Sequence, residues 1–407
     1  MGNISSSSLL NDQEALKHVK SLAFSRKAGT VGEYISRDYI ISRLKEENIK
    51  TEVEPFLWVS IWVVYKFFFI SLILLLLFEV LFSFFKPITQ AYGLLLIIVN
   101  LLFIKSYLES IVVYKTFDQK QPFQKKHVSH NVITTIKAKA DNREKPVIIF
   151  CAHHDSISIN YSESFLTSIL LIFIVYVSVF FPLSIVLDFP FVFKLFRLAY
   201  LLVLLTFFLT IKSTEKSTGS IDNASGIAIL IELSKKFHKN PLNNADLIFL
   251  WTGAEEMGLF GSKTYCYRNF KRLDKVYNLD RSYIINIDMV GSYIGLVDKV
   301  GIFEKTPLNR SLNNKLEEIA IDREIRIIKE TKSVSFSSDH LTFQNYAKKL
   351  KRELQFGWFH SKMDNKFIHC SKDTPEKCYP ENLNGCIEIC YFTLKKLDAD
   401  LDNAKSS

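Results

Sequence analysis

Histidines and carboxylates follow apolar, strand-like runs of this sequence at the points where the runs end. The run PVIIFC leads into AHHDS, which contains His153 and Asp155, and the run LIFLW leads into TGAEE, which contains Glu255 and Glu256. Nitrogen and oxygen ligands of this kind suit a cation such as zinc. The pattern therefore predicts a zinc site at the ends of strands.

Three further residues extend the predicted ligand set. Asp222 opens the run DNASG, Asp288 ends a strand-like run in INIDMVG, and His369 lies in KFIHCSKDT. Two metal ions that share a bridging carboxylate need about five ligands. The candidate ligands are His153, Asp222, Glu256, Asp288 and His369. Glu255 is then left for proton transfer, and Asp155 lies on the same strand face as His153 because side chains alternate along a strand.

Strand-like and helix-like runs alternate along the chain once its longest apolar segments are set aside. The strand-like runs include KTEVEPF, HNVITTIKAK, PVIIFCAHHD, ADLIFLWTG and SYIINIDMVG. The helix-like runs include QEALKHVKSLA, VGEYISRDYIISRLKEENI and SGIAILIELSKKFHK, with a short helix in SKTYCYRNF. This alternation predicts an α/β fold with a mixed, largely parallel central sheet flanked by helices.

Four apolar segments approach the length of about 20 residues that a helix needs to cross a bilayer. They are residues 56–85, 94–104, 165–187 and 191–211. We expect four transmembrane helices, arranged as two hairpins, in preference to buried core helices. Basic residues are more frequent beside the spans than at the hairpin tips, which predicts a multi-pass membrane protein with a cytoplasmic catalytic domain. Membrane lipid would then be a partner.

The two hairpins would interrupt a single catalytic domain. The predicted divisions are 1–55, the N-terminal part of the catalytic domain; 56–112, the first transmembrane hairpin; 113–162, the part with the first metal-ligand strand; 163–212, the second hairpin; and 213–407, the part with the remaining ligands. This placement leaves the predicted sheet uninterrupted.

The net charge of +9 raises the question of a nucleic-acid partner, but no basic patch with interleaved aromatic residues is found in the sequence. We therefore expect no nucleic-acid binding. The last four of the six cysteines lack the close C-x-x-C pairs of a thiolate zinc site. Nothing in the sequence indicates the oligomeric state.

The series AHHDS, DNASG, EEMGLFGS, NIDMVG and IHxxxDT resembles the double-zinc exopeptidases of metallopeptidase family 28, which include bacterial leucyl aminopeptidases and glutamate carboxypeptidase. The segment AGTVGEYISRDYIISRLKEENIKTEVEPF is similar to the first helix and strand of that family. The resemblance implies the zinc-exopeptidase fold, two zinc ions per chain and a peptide substrate. It favours an aminopeptidase that hydrolyses N-terminal residues, with carboxypeptidase or dipeptidase specificity left open.

Carried over motif by motif, the resemblance implies a role for each candidate residue. The implied ligands are His153 and Asp288 for one zinc, Glu256 and His369 for the other, and Asp222 as the bridge. Asp155 would orient His153, as metal-bound imidazoles require. Glu255 would be the general base that takes a proton from the attacking water.

Two positions near the predicted site leave alternatives open. The run SSDHLTF places Asp339 and His340 at the site, where we interpret them as shaping the pocket. His340 is the rival of His369 as the fifth ligand, although Asp373 and Thr374 favour His369. Some relatives carry a tyrosine before the last ligand, where this chain has Ile368, so no side chain is assigned to the oxyanion.

Two other functions remain on the same fold. A glutaminyl cyclase-like acyltransferase works with one zinc and tends to lack the NASG run that is intact here after Asp222. A catalytically inactive receptor or scaffold would have lost ligands, and none is lost.

Overall fold

The structure, a computed structural model, describes residues 13–59, 126–140, 145–161, 191–301, 305–332 and 338–406, with isolated positions between 73 and 98 and between 165 and 180. The chain divides into two compact units. The first unit comprises Met1–Trp58, His127–Ser158 and Thr214–Ser407, and the second comprises Val59–Lys126 and Ile159–Ser213. The domain boundaries given above stay a prediction.

One mixed sheet organises the first unit. Among the described residues its strands are β1 (Glu52–Val59), β2 (Lys126–Ile136), β3 (Val147–His153), β4 (Asp246–Thr252), β5 (Tyr283–Ile287), β6 (Ile294–Val300), β7 (Thr306–Pro307), β8 (Ile327–Lys332) and β9 (Gln355–Phe359). Their order is β1-β2-β4-β3-β5-β9-β6-β7, with β8 paired to β6. The four neighbours β4, β3, β5 and β9 are parallel. Their carboxyl ends therefore meet at one edge of the sheet.

Helices cover both faces of this sheet. The described helices are α1 (Glu14–Ser21), α2 (Val31–Glu46), α3 (Phe191–Thr210), α4 (Ser225–Lys239), α5 (Phe260–Val276), α6 (Arg310–Asp322), α7 (His340–Leu350) and α8 (Pro380–Ser406). All except α3 belong to the first unit. The helix α5 is longer than the short helix predicted from SKTYCYRNF. The predicted mixed sheet with flanking helices agrees with the structure.

The central strands are buried on both faces because alternate side chains join different cores. Ile148 and Phe150 of β3 pack in a cluster with residues of α1, α2, α4, α6 and α8. Ile149 and Cys151 point the other way and pack with residues of α5 and α7. This arrangement explains the uninterrupted apolar run of β3, since a parallel strand between two helical layers has no solvent-exposed face.

The prediction of four transmembrane helices is wrong. Among the residues that the structure describes, none of the helices is both long enough and apolar enough to cross a bilayer. The sequence of α3 carries Lys194 and Arg197 near its start. Its uncharged part, residues 198–210, would extend about 20 Å, which is short of the roughly 30 Å of a bilayer core.

The first predicted span also begins inside a strand. Residues 56–59 belong to β1, and Phe56 and Trp58 are buried. Most of the rest of that span, and most of the second and third, lie outside the described residues. The predicted multi-pass membrane location, with its cytoplasmic catalytic domain, rested on the four helices and is corrected with them.

Candidate metal centre

The predicted site residues gather at the carboxyl edge of the parallel strands. Their places are the last residue of β3 (His153), the turn after β4 (Glu255 and Glu256), the first residue after β5 (Asp288), the turn before α4 (Asp222) and the loop after β9 (His369). Parallel strands bring these segments together although up to 216 positions separate them in the sequence. The sheet therefore builds the site from chain segments that are far apart.

Asp222 contacts two histidines through different oxygens. Its Oδ1 lies 2.9 Å from Nε2 of His153, and its Oδ2 lies 3.1 Å from Nε2 of His369. The carboxylate thus stands between imidazoles from distant segments. A carboxylate shared by two cations has this arrangement.

One more carboxylate lies beside each of these histidines. Oδ1 of Asp288 is 3.4 Å from Nε2 of His153, and Oε1 of Glu256 is 3.2 Å from Nε2 of His369. The ligand atoms offered by His153, Asp222 and Glu256 all lie within 4.8 Å of one another. The structure therefore brings the five predicted ligands together, with imidazole and carboxylate donors of the kind that zinc prefers.

Burial raises the pKa of the two glutamates, whereas hydrogen bonds from His153 and His369 hold the pKa of Asp222 below its ordinary value. The pKa of Glu256 is raised to about 7, chiefly by burial, with His369 lowering it and nearby Asp222 raising it. Burial also raises the pKa of Glu255 well above its ordinary range. Burial alone would lower the pKa of His369, but Glu256 and Asp222 raise it well above the ordinary value. A divalent cation would offset this concentration of buried negative charge, so the residues fit zinc in charge as well as in donor type.

Asp155 contacts both His153 and the turn after β4. Its backbone oxygen accepts a hydrogen bond from Nδ1 of His153 at 3.1 Å, while its Oδ1 lies 3.7 Å from the same nitrogen. The carboxylate instead accepts the backbone N–H of Glu255 at 3.0 Å and that of Glu256 at 3.3 Å. One residue thus positions a candidate ligand on β3 and the turn that carries the two glutamates.

The DNASG run explains how Asp222 is placed beside β5. The side-chain amide of Asn223 donates to the backbone oxygen of Ile287 at 2.9 Å, and its Oδ1 accepts from the backbone N–H of Met289 at 3.2 Å. A Cβ added to Gly226 would lie 2.5 Å from the oxygens of Asn223 and Ile287, so only glycine fits there. These contacts tie the turn of Asp222 to the strand end that carries Asp288.

Three non-glycine residues at the site have left-handed backbone conformations. The φ angle is 49° at Ala254, 82° at Met289 and 58° at His369. Each such residue costs about 1 to 3 kcal/mol and persists only where its surroundings impose it. The loops that carry Glu255, Asp288 and His369 therefore hold these side chains at an energetic cost to the fold.

The geometry favours His369 over its rival. The ring of His340 packs on Trp358, with centroids 4.3 Å apart, and burial lowers the pKa of His340 to about 3. Asp339 accepts a hydrogen bond from the hydroxyl of Thr252 at 2.5 Å. His369, by contrast, contacts both Asp222 and Glu256 directly.

Two residues near the site were missed in the sequence. Nδ1 of His360 lies 3.0 Å from the backbone oxygen of Asp288, so this histidine supports the segment after β5. Arg26 is fully buried and donates to the backbone oxygen of His154 at 3.1 Å. For His360 the sequence did hold a signal, because it follows the buried strand β9 directly. Arg26 has none, since it lies in an irregular loop.

Comparisons with known proteins add to this geometry. The sequence model for peptidase family M28 matches residues 131–393. Among solved structures, an aminopeptidase from Aneurinibacillus sp. strain AM-1 aligns with a TM-score of 0.55 at 15% identity, over 95% of this chain and 93% of that chain. A search of the curated proteins found no match.

Two further solved structures share the fold. A glutaminyl cyclase from Fimbriiglobus ruber aligns with a TM-score of 0.55 at 12% identity, over 94% of each chain. BSAP, a zinc aminopeptidase from Bacillus subtilis, gives a TM-score of 0.50 at 14% identity, over 95% of this chain and 94% of that chain. At these identities the similarity shows a common fold, which both peptidases and cyclases use.

Proposed function

We propose that this chain, which belongs to peptidase family M28, is a zinc-dependent exopeptidase that removes N-terminal residues from peptides. The observation that carries the proposal is the position of Asp222, whose two oxygens face His153 and His369 at 2.9 and 3.1 Å. With a further carboxylate beside each histidine, this donor set suits two zinc ions.

The ligand roles are those that the family resemblance implies, and the contacts support them. His153 and Asp288 would hold one zinc, His369 and Glu256 the other, and Asp222 both. When bound, zinc would lower the pKa of a water molecule and stabilise negative charge on the substrate carbonyl oxygen. Zinc as the metal is supported by the family and by the donors, and the number of two ions is part of the proposal.

Glu255 would move the proton. It is adjacent to Glu256, it is partly buried, and its backbone N–H donates to Oδ1 of Asp155 at 3.0 Å. Burial raises its pKa well above the ordinary value, which suits a group that takes a proton and later returns it. Glu255 would accept a proton from the attacking water as the new C–O bond forms. It would donate that proton to the amine nitrogen as the peptide C–N bond breaks.

The aminopeptidase form of the reaction is supported by two features. Solved structures that share the fold include proteins described as aminopeptidases. The Asn223 contacts of the DNASG run, which glutaminyl cyclases tend to lack, are formed and fix Asp222 beside β5. Peptide is accordingly the proposed substrate.

A substrate panel tests the proposal. The purified full-length chain would be freed of metal with a chelator, reloaded with zinc and analysed for zinc per chain. Peptides of one sequence would then be supplied with both ends free, with an acetylated N-terminus, with an amidated C-terminus and with an N-terminal glutamine. Glu255→Gln protein, prepared identically, controls for contaminating peptidases.

Each outcome has a distinct meaning. Release of the N-terminal residue that survives C-terminal amidation and stops on N-acetylation is the expected result. Cleavage that requires a free C-terminal carboxylate would replace the aminopeptidase with a carboxypeptidase or dipeptidase. Conversion of the glutamine peptide to pyroglutamate without hydrolysis would indicate the cyclase reaction. A zinc-loaded protein that acts on none of these peptides would contradict the peptidase proposal.

A further inference from the structure

Arg26 connects two segments that carry candidate ligands. It lies between α1 and α2, outside the residues matched by the family model, and its side chain is fully buried. Its Nε donates to the backbone oxygen of His154 at 3.1 Å, and its two terminal nitrogens donate to the backbone oxygens of Thr218 at 2.8 Å and Gly219 at 2.7 Å. The guanidinium thus joins the residue after His153 to the turn that leads into Asp222.

Asp373 holds the same turn through its amide hydrogens. Its Oδ1 accepts the backbone N–H of Ile221 at 2.6 Å, and its Oδ2 lies 3.4 Å from the backbone nitrogen of Asp222. Its backbone oxygen accepts from the hydroxyl of Thr218 at 2.5 Å. Because Asp373 follows His369 by four positions, these contacts fix a third ligand-bearing segment to the turn.

The turn packs directly on the arginine. Gly219 has a φ of 60°, and a Cβ added there would lie 2.8 Å from a terminal nitrogen of Arg26 and 2.6 Å from the Cβ of Ser156. Glycine is therefore needed both for the left-handed backbone and for the close approach. The Oγ of Ser156 in turn accepts the backbone N–H of Arg26 at 3.0 Å.

We propose that Arg26 and Asp373 form a clamp that assembles the metal centre by fixing the backbone of the turn 218–222, one through its carbonyl oxygens and the other through its amide hydrogens. The guanidinium of Arg26 donates to the carbonyl oxygens of Thr218 and Gly219, which precede Asp222. The carboxylate of Asp373 accepts from the backbone N–H groups of Ile221 and Asp222. The bridging carboxylate is then aimed at both histidines before metal arrives. The clamp rests on the proposed zinc function, to which it adds two positioning residues, one of them from outside the matched region.

Two physical considerations favour a positioning role. Burying a charged guanidinium is costly unless its hydrogen bonds are satisfied, and here all three nitrogens donate to backbone oxygens. Side chains that orient metal ligands contribute about 10- to 100-fold to metal affinity even though they do not touch the ion. A clamp that only stabilised the fold would leave the zinc affinity of the folded protein unchanged.

The test is the zinc affinity of full-length variants, measured by competition with a chelator on protein shown to be folded by circular dichroism. The variants are Arg26→Met, Arg26→Lys, Asp373→Asn and the double variant Arg26→Met with Asp373→Asn. Asp246→Asn is the matched control, because Asp246 is also a fully buried aspartate that accepts a backbone N–H, from Ala138 at 2.9 Å, but it starts β4 at the far edge of the sheet.

We expect Arg26→Met and Asp373→Asn each to weaken zinc binding by about 10- to 100-fold. The double variant should be little worse than either single variant, because both residues act through one turn. Arg26→Lys, which keeps the charge but not the forked donors, should fall between wild type and Arg26→Met. Asp246→Asn should lower stability and leave zinc affinity unchanged.

The outcomes separate the clamp from the function on which it rests. Folded Arg26→Lys and Asp373→Asn proteins with wild-type zinc affinity would overturn the clamp and leave the zinc peptidase standing. These two milder variants also decide the matter if Arg26→Met does not fold. Fully additive losses would show two independent supports and overturn the joint clamp. A wild-type protein that binds no zinc would remove the proposed function and the clamp together.

Discussion

Carboxylates lie at both ends of the strand β4, and the surroundings shift their pKa values in opposite directions at the two ends. At the amino end, Asp246 accepts hydrogen bonds from Lys145 at 2.7 Å, Lys137 at 2.9 Å and the hydroxyl of Tyr277 at 2.8 Å. Burial would raise the pKa of Asp246, but the backbone N–H of Ala138 and these donors lower it below its ordinary value. The negative charge at this end is balanced by the protein itself.

At the carboxyl end, acidic side chains face one another. Burial raises the pKa of Glu256 to about 7 and that of Glu255 well above its ordinary range, and Asp222 and Asp288 add to the repulsion. The two ends of β4 therefore differ in how carboxylate charge is balanced. Lysines pair with the carboxylate that stabilises the fold. At the other end Glu255, Glu256, Asp222 and Asp288 outnumber His153 and His369, which leaves negative charge for a cation.

The largest expected effect separates the two neighbouring glutamates at the carboxyl end. Glu255→Gln keeps the size of the side chain but removes the base, so kcat should fall by about 100- to 10,000-fold while zinc stays bound. Glu256→Gln weakens a ligand, so zinc as well as activity should be lost. Activity and zinc per chain, measured on the same preparations, check this.

The two glutamates share burial and backbone context, which makes each the control for the other. Loss of zinc in Glu255→Gln with full zinc in Glu256→Gln would reverse the two roles. Full activity in both variants would contradict the zinc hydrolase itself.

The amino end should show the opposite phenotype. Asp246→Asn leaves Lys145, whose side chain is only 12% exposed, without its buried counter-charge. Breaking such a pair from one side costs about 3 kcal/mol or more. We expect the free energy of unfolding in urea to fall by about that amount, with kcat unchanged in the remaining folded protein. A loss of activity larger than the loss of folded protein would show that the two ends are not independent.

The local parts of this picture could be predicted from the sequence. The apolar runs of β3, β4 and β5 identify buried parallel strands, and their ends identify the residues that meet at one edge. His153 and Glu256 were found because each lies at the end of such a run, and Asp222 was found because it precedes the apolar helix α4. The pairing of Asp246 with Lys145 was not found, since an acid and a base about 100 positions apart give no local signal.

The clamp and the membrane spans show where the sequence was insufficient. The side chain of Arg26 donates to the backbone oxygen of Gly219, 193 positions away. Every residue has a backbone oxygen, so the sequence does not indicate which one accepts. The predicted spans rested on hydropathy over long windows, which cannot tell a strand such as β1, with Phe56 and Trp58 buried in the core, from the start of a helix.

Metal removal tests the carboxyl end as a whole. Zinc binds the folded state, so a free concentration 100-fold above the dissociation constant should stabilise the protein by about 2.7 kcal/mol. Chelation should lower the free energy of unfolding by that amount in wild type and equally in Asp246→Asn. Asp222→Asn, which loses the carboxylate between the histidines, should show a much smaller response. An equal zinc response in Asp222→Asn would place the metal elsewhere.

The smallest expected effect concerns Glu33 of α2, a buried carboxylate near the carboxyl end of β4 that is not among the predicted ligands. It accepts hydrogen bonds from the backbone N–H of Gly29 at 2.5 Å and from the hydroxyl of Ser129. Its pKa is raised to about 8, because burial and nearby Asp155 outweigh the lowering effect of these hydrogen bonds and of Arg37. The folded state therefore holds this proton more tightly than the unfolded chain does.

The sign of the pH dependence follows from that difference. The stability that Glu33 contributes is complete below its unfolded value of 4.5 and is lost as the pH rises towards about 8. Glu33→Gln cannot lose a proton, so between about pH 5 and about pH 8 it should lose less stability than wild type, by about 1.4 kcal/mol for each unit of pKa shift. Urea unfolding at both pH values measures this.

Asp246→Asn is the matched control, because the lowered pKa of Asp246 keeps it ionised throughout this range and its replacement should leave the slope unchanged. Equal slopes in wild type and Glu33→Gln would show that Glu33 is ionised in the folded protein. The raised carboxyl pKa values at this end of β4 would then be confined to the residues around Asp222.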